Sequence, residues 1–283
     1  MAGTSKLCKS PDFSARIFPT EHTGPGRIFL SKGAPMSTSV ATPASAPNLP
    51  GRRYDRVFFP IMSTLILVAV FIGFAPTYYL AGLIHAPLPS WIIHVHGAIF
   101  STWIILLCIQ TGLVSARRVD LHKKLGLFAF GLSCLMVLFG LMAARNSLMR
   151  EFVPPAFPLS AQTFFVIPFT DIFMFATLIY FGWALRSNGS VHKRLMIVAT
   201  VSILDAAIDR WPFAYIHNGH IGADLTVFSF LFLLMFYDLW STHKIQRATL
   251  WASIFVIVVE EIRVPLATTH LWIRFADLVA GKV

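Results

Sequence analysis

The hydrophobic and polar positions of this chain alternate in blocks rather than residue by residue: long apolar runs are separated by short polar or basic stretches. Runs of roughly 20 predominantly apolar residues, the length that crosses a bilayer as a helix, fall at about 57–80, 92–114, 125–146, 163–185, 195–213, 224–241 and 249–268. They predict an all-α integral membrane bundle of about seven transmembrane helices. The fifth and seventh runs carry the heaviest charge, with Asp205 and Asp209 in one and Glu260, Glu261 and Arg263 in the other. Residues 1–50 contain no comparable run. They are rich in Pro, Ser, Thr and Gly and lack the apolar core of ~7–15 residues that a secretory signal needs, which predicts a disordered cytoplasmic tail ahead of a membrane domain at 51–283. Met36, which opens "MSTSVATPASAPNLPGRRYDR", is a second candidate start; translation from it would make residues 1–35 a start-site artefact.

Composition agrees with the pattern. Of the 283 residues 56% are hydrophobic and only 13% charged, with a mean hydropathy of +0.69, against about 25% charged in ordinary soluble domains. The formal charge of +10 would suggest nucleic acid in a soluble protein, but the basic residues follow a topological pattern. Arg52, Arg53 and Arg56 precede the first run; Arg117, Arg118, Lys123 and Lys124 lie between the second and third. Arg186, Lys193 and Arg194 separate the fourth and fifth, and Lys244 and Arg247 the sixth and seventh. The intervening segments "AGLIHAPLPSW", "EFVPPAFPLSAQ" and "FAYIHNGHIGA" have no Lys or Arg. The positive-inside rule then puts the N-terminus in the cytoplasm and the C-terminus outside. The net charge reads as topogenic and lipid-facing, with the bilayer as the partner and no nucleic acid. Cys108 and Cys134 sit in apolar runs and read as small hydrophobes, and Cys8 lies in the tail.

The dipeptide His-Lys recurs in "VDLHKKLGLF", "GSVHKRLMIV" and "STHKIQR", each time ahead of an apolar run. One reading makes Lys123, Lys193 and Lys244 snorkelling anchors beside polar interfacial histidines. The other starts from position: a helix N-terminus disfavours imidazolium and favours neutral imidazole, the form that ligates metal. If the third and fifth spans are neighbours, His122 and His192 face each other at one depth, placed to hold a haem iron axially.

At the opposite end, "PSWIIHVHGAIFSTW" offers Ser90 as a helix N-cap with His94 and His96 in the first turns. Residues two apart do not share a helix face. His94 falls on the small-residue stripe with Gly97, Ala98, Ser101 and Cys108, and is expected to face inward; His96 runs with Phe100, Trp103 and Leu107. Asp171 and Asp205 fall near mid-membrane, and Asp209, Arg210, Glu260, Glu261 and Arg263 in the outer half. Charges at such depths cost at least ~2.5 kcal/mol on insertion scales and face the bundle or a wet cavity. Spacing on a helix pairs Asp205 with Asp209 on one face and Glu260 with Arg263. These groups form either an ion-pair network locking the fifth and seventh spans or a functional polar cavity. His217 and His220 in "YIHNGH" read as loop residues or as additional zinc ligands, and His85 and His270 as interfacial.

On "HVHGAIFSTWIILLCIQTGLVSARRVDLHKKLG", "HKRLM" and "YDLWSTHK", over roughly 90–265, the chain resembles a group of uncharacterised bacterial polytopic membrane proteins. That resemblance implies a multi-pass protein of the cell inner (plasma) membrane and no established activity. A weaker likeness is to the di-haem cytochrome b membrane family, whose helices hold haem between His pairs. It implies a cytoplasmic pair at His122 and His192, with His94 or His96 as half of an outer pair. The fourth span has Asp171 and no histidine, so at most one bis-His haem b follows.

Three functional classes follow: a haem-binding redox membrane protein using His122 and His192; a proton-coupled transporter using Asp171, Asp205 and Glu260 or Glu261; and a membrane-embedded zinc hydrolase on the outer histidines or a non-catalytic assembly factor. No catalytic residue is assigned. The chain contains no GxSxG, Walker A, HExxH or CxxC motif, which removes support for soluble-type hydrolase, ATPase and thiol-redox chemistry.

Overall fold

The computed structural model describes residues 51–83, 90–153, 160–217 and 220–282. The tail at 1–50, His85, and the side chains of His217 and His220 lie outside the described residues. The described residues form helices joined by turns, with no strand among them: α1 Gly51–Phe74, continued by a π-helical turn Ala75–Tyr79, α2 Trp91–Ser115, α3 Val119–Met149, α4 Ala161–Phe164, α5 Val166–Ala184, α6 Gly189–Val201, α7 Asp205–Ile208, α8 Ala214–His217, α9 His220–Thr242, α10 Arg247–Ala267 and α11 His270–Ala280.

Among the described residues five helical segments are long and apolar enough to cross a membrane: Tyr54–Tyr79, Trp91–Ser115, Val119–Met149, Ala161–Ala184 and Gly222–Thr242. They coincide with the first, second, third, fourth and sixth runs in the sequence. Their exposed faces require an apolar solvent. On α1 a stripe at Val57, Ile61, Leu65, Val68 and Phe71 is exposed, while Phe59, Met62, Ile66 and Ala69 on the other face are buried. A contiguous apolar stripe along a 24-residue helix is not stable in water but matches lipid.

The two charge-laden runs depart from the simple picture. The fifth is not one helix: α6 ends at Val201 and α7 restarts at Asp205. No Pro or Gly marks the interruption. Thr200 and Ser202 turn their hydroxyls back onto the Met196 and Ala199 carbonyls, at 2.9 and 3.0 Å, a competition with the backbone ladder that bends helices. Asp205, immediately beyond, is drawn to Arg263. The seventh run is continuous as α10, with 21 residues. Beyond it, α11 was not expected from the hydrophobic pattern; Thr269 caps its start through Trp272 N and Gly281, at φ 74°, closes it in the left-handed region.

The core lies where α1, α2, α3, α5, α6, α9 and α10 converge, around Met62, Trp103, Met136, Phe175, Val198, Leu231 and Val256. A smaller core joins the end of α3 to α4 and α11 through Ala144, Leu148, Phe165 and Trp272. Gly73 lets α1 cross α7, since a Cβ there would strike the backbone of Ala207. Together these contacts place the α2–α3, α5–α6 and α9–α10 turns around one cleft.

Candidate functional site

That cleft has a volume of about 2060 Å³. Its floor is aromatic and apolar, with Phe59, Trp103, Phe130 and Trp183. Its mouth is basic: Arg56, Arg117, Lys123, Arg186, Lys193 and Lys244 all line it, and Asp55 is the single carboxylate among the lining residues. Tight turns make the rim. Arg117 between α2 and α3, and His243 between α9 and α10, adopt φ of 61° and 55°, the left-handed conformation in which helices commonly stop.

His122 and His192 both stand in the cleft wall, half-buried. The dipeptides that open α3 and α6 bring them together because α3 and α6 both pack beside α5. Their ring centroids are 6.2 Å apart with planes at 75°. His192 Nδ1 lies 2.8 Å from the Gly182 carbonyl. A carbonyl only accepts, so His192 carries its proton on Nδ1 and donates it to Gly182, leaving Nε2 with a lone pair, the arrangement in which histidines ligate metal. His122 is held differently. In the orientation that satisfies all its neighbours, the Gln110 amide donates to His122 Nδ1 at 2.6 Å and to the His122 carbonyl at 3.3 Å, and accepts from Gly126 N at 3.1 Å. A neutral His122 then carries its proton on Nε2. His243, the third member of the repeat, is exposed on the rim.

His94 and His96 are elsewhere. His96 precedes Gln110 by fourteen residues on α2, roughly 21 Å along the axis at ~1.5 Å per residue, so the four histidines do not form one centre. The expected inward bias of His94 is not what distinguishes the pair. Both are half-buried; His96 stacks on Phe100 with centroids 4.0 Å apart and has a buried Nδ1 without a hydrogen-bond partner. His94 faces the Tyr78 ring at 5.8 Å. Ser90 does occupy the N-cap position of α2, but its hydroxyl makes no capping bond. His270 is exposed at the start of α11.

The intramembrane charges assemble around Arg263. Its Nη1 donates to Asp171 Oδ1 at 3.0 Å and its Nη2 to Asp205 Oδ2 at 2.6 Å, and all three side chains are buried. The guanidinium thus joins α10 to α5 and to the start of α7. The i,i+3 partner suggested by the sequence, Glu260, is not its hydrogen-bond partner: both Glu260 carboxyl oxygens are buried without one. Asp209, Arg210 and Glu261 are exposed. The interruption of the fifth run at 202–204 lies ahead of both Asp205 and Asp209, which stay one helical turn apart, the Asp209 N–H donating to the Asp205 carbonyl at 2.9 Å, with Asp205 buried and Asp209 exposed; Arg210 turns to the Ala206 carbonyl and lies 5.0 Å over the Phe74 ring.

A second buried ion pair had no place among the sequence candidates. Arg194 Nη2 lies 2.5 Å from Asp238 Oδ1, and Nε 3.0 Å from the same oxygen. Asp238 Oδ2 accepts from Thr249 Oγ1 at 2.5 Å and from Gln246 N at 3.2 Å, while Arg194 Nη1 donates to the Ser190 carbonyl at 2.8 Å. Arg194 counts as a loop cation in the sequence, yet it is 2% exposed. The available signal was Asp238, a lone carboxylate inside "FLFLLMFYDLW". Beside it, Lys193 Nζ meets Asp55 Oδ2 at 2.5 Å and Tyr237 donates to Asp55 Oδ1 at 2.8 Å.

Among the described residues no group of three or more His, Cys, Asp or Glu side chains is placed to share a metal ion. Comparison with protein families, curated proteins and solved structures finds no match to this chain.

Proposed function

We propose that this chain is a seven-span redox protein of a bacterial inner membrane, related to the polytopic group its motifs resemble, that binds one haem b between His122 and His192. The observation that carries the reading is the pair of imidazoles whose ring centroids lie 6.2 Å apart, planes at 75°, in the wall of a basic cleft. About 6 Å between ring centres is the spacing that one metal ion between facing ring nitrogens requires, at roughly 2.0–2.1 Å from each nitrogen. The aromatic floor suits a macrocycle and the Arg and Lys mouth suits its carboxylates. His192 fits as it stands. His122 as held carries its proton on Nε2; to present a free Nε2 the Gln110 amide has to turn over, which gives up its bonds to the His122 carbonyl and Gly126 N. When bound, a haem would supply one-electron transfer, held by His122 and His192, and the hydrogen bonds of those histidines would help set its potential. This chain's residues orient the rings, exclude water with Trp103, Phe130 and Trp183, and neutralise acidic substituents.

The gathering of Arg56, Arg117, Lys123, Arg186 and Lys244 at one end supports that end as cytoplasmic. Seven spans with the N-terminus inside require α6, its break and α7 to cross together, and α10 to cross with its charges turned onto Asp171 and Asp205. The test is an absorption spectrum of the detergent-purified full chain expressed with haem precursor, oxidised and dithionite-reduced. A Soret band with reduced α and β bands, lost in His122→Ala and in His192→Ala, is expected; a folded protein colourless in both redox states overturns the reading.

A second reading, a proton-coupled carrier, is favoured by one observation. Asp171, Asp205 and Arg263 meet where a helix is broken inside the bundle, and discontinuous helices with buried ionisable groups mark transport sites. In proteoliposomes Asp171→Asn or Asp205→Asn would abolish pH-driven uptake; unchanged uptake sinks it. The zinc-hydrolase and assembly-factor readings have no comparable observation behind them.

A further inference from the structure

We infer that the mouth of the cleft is a site for one anionic phospholipid, its phosphate held among Arg56, Arg117, Lys123, Arg186 and Lys244 and its acyl chains laid along the neighbouring apolar side chains. The site shares the cleft with the haem reading but uses neither His122 nor His192, and it requires no haem.

Charge counting leaves these five cations without protein partners. Three carboxylates stand at this end among the described residues, and each has its own cation: Asp120 takes Arg118, Asp55 takes Lys193 and Asp238 takes Arg194. The five that remain line one cleft, from α1, from α3 and from the α2–α3, α5–α6 and α9–α10 turns. Topology accounts for cations at one end of a bundle, but it does not require them to converge. Lys124 and Arg247 lie at the same end and are exposed outside the cleft lining. Like charges around one cavity repel each other and focus a positive potential into it, which favours an anion there. The starts of α3, α6 and α10 lie in the same wall, through Val119, Gly189 and Gln246, and add the positive ends of their dipoles.

Arg186 is already positioned. Its guanidinium lies 4.5 Å over the Trp183 ring, which stacks on Phe130 with centroids 4.3 Å apart, and its Nη1 donates to the Trp183 carbonyl at 3.0 Å. A stacked guanidinium with further N–H donors to spare is suited to a phosphate.

The apolar surroundings select a lipid over a soluble phosphate compound. Each cation stands within four residues of a large exposed apolar side chain: Arg56 beside Val57, Arg117 after Val114, Lys123 before Leu127, Arg186 beside Leu185 and Lys244 after Trp240. Such side chains face acyl chains in a bilayer, so these cations lie at headgroup level, where basic pockets between transmembrane helices hold anionic headgroups. The volume of about 2060 Å³ exceeds the roughly 300–1,000 Å³ of an ordinary small-molecule pocket, which leaves room for a lipid beside a macrocycle.

Native mass spectrometry of the full haem-free chain in detergent, with lipid added, tests this. Phosphatidylglycerol should bind one-to-one and about tenfold or more tighter than phosphatidylcholine with the same acyl chains. Lys123→Gln/Arg186→Gln should weaken it about 25-fold, at about fivefold per cation removed near a membrane surface. Lys124→Gln/Arg247→Gln removes the same charge outside the cleft and should leave the affinity unchanged. Equal affinity for the two lipids, or equal weakening in the two double variants, overturns the proposal. So does displacement of phosphatidylglycerol by equimolar inorganic phosphate, which would give the mouth to a soluble anion. The comparison of lipids on the wild-type chain carries the test even where a cleft variant does not fold. Because it is read on haem-free protein, a missing Soret band and a missing lipid are seen separately.

Discussion

Replacing Arg194 with Met strands Asp238 in the interior with its charge uncompensated. Arg194 is 2% exposed and Asp238 is fully buried; the pair is held by contacts of 2.5 to 3.2 Å from the guanidinium. Thr249 and Gln246 N still donate to Asp238 Oδ2, but Oδ1 loses both of its donors. Breaking a buried pair by removing one partner destabilises by about 3–5 kcal/mol, most of it the penalty of the stranded charge. Asp238→Leu should cost a similar amount, because Arg194 then keeps only Ser190. Together the substitutions remove both charges, but the Gln246 N–H and the Thr249 hydroxyl lose their acceptor, as they already do in Asp238→Leu alone. The double variant Arg194→Met/Asp238→Leu should therefore be more stable than Asp238→Leu, because no buried guanidinium is left unpaired, and the two losses should fall short of additive by about 0.5–3 kcal/mol. Lys193→Met is the control. Its partner Asp55 and Lys193 itself are 24% and 26% exposed, and a solvent-reached pair of this kind contributes about 0–1 kcal/mol. Reversible unfolding in mixed micelles, followed by circular dichroism, measures all four. A loss below about 1 kcal/mol in Arg194→Met, or a double variant whose loss equals the sum of the singles, refutes the argument that the pair is buried and mutually dependent.

Gly73→Val should destabilise by about 1–3 kcal/mol, the cost of overpacking a close helix crossing, because the new side chain meets the Ala207 backbone; an unchanged unfolding midpoint would place α7 away from α1. In ¹⁵N spectra of the haem-free protein, His122 should carry its proton on Nε2 and His192 on Nδ1, and Gln110→Ala should release only the first preference; identical tautomers would contradict the two anchoring bonds. Lys282 donates to Glu151 at 2.7 Å outside the spans and holds its carboxyl below the ordinary carboxylate range, chiefly by that bond. A lowered folded-state value contributes stability above the unfolded-state value and loses it as pH falls through the folded one. Both groups are solvated, so Lys282→Gln should return the Glu151 titration upward in ¹³C spectra while leaving the acid unfolding midpoint in place; a displaced midpoint would show a larger contribution.

Position along the chain was enough to bring His122 and His192 forward. Both follow basic turns at the same end, and that regularity is local. Their hydrogen bonds were not legible, because Gly182 and Gln110 belong to other helices and nothing in their local sequence marks them as imidazole partners. Local spacing also misled. It matched Glu260 with Arg263, whereas Arg263 reaches α5 and α7; Asp205 and Asp209 do keep their i,i+4 turn, but only Asp205 is buried against the guanidinium. Arg194 shows the same limit: its neighbours in sequence are loop-like, and its burial depends on Asp238, 44 residues away.

Apolar run length, the clustering of Lys and Arg and the periodicity of the helices are properties of single segments, so the sequence alone determined that this is a helical protein with membrane-length spans. Which charges neutralise each other is a property of pairs of helices. In a bilayer every helix already presents an apolar surface to lipid, so hydrophobicity does not select neighbours. Packing at Gly73 and hydrogen bonding at Arg194 and Arg263 select them, and only the tertiary structure decided that Asp171 and Asp205 share one guanidinium while Glu260 is left without a donor.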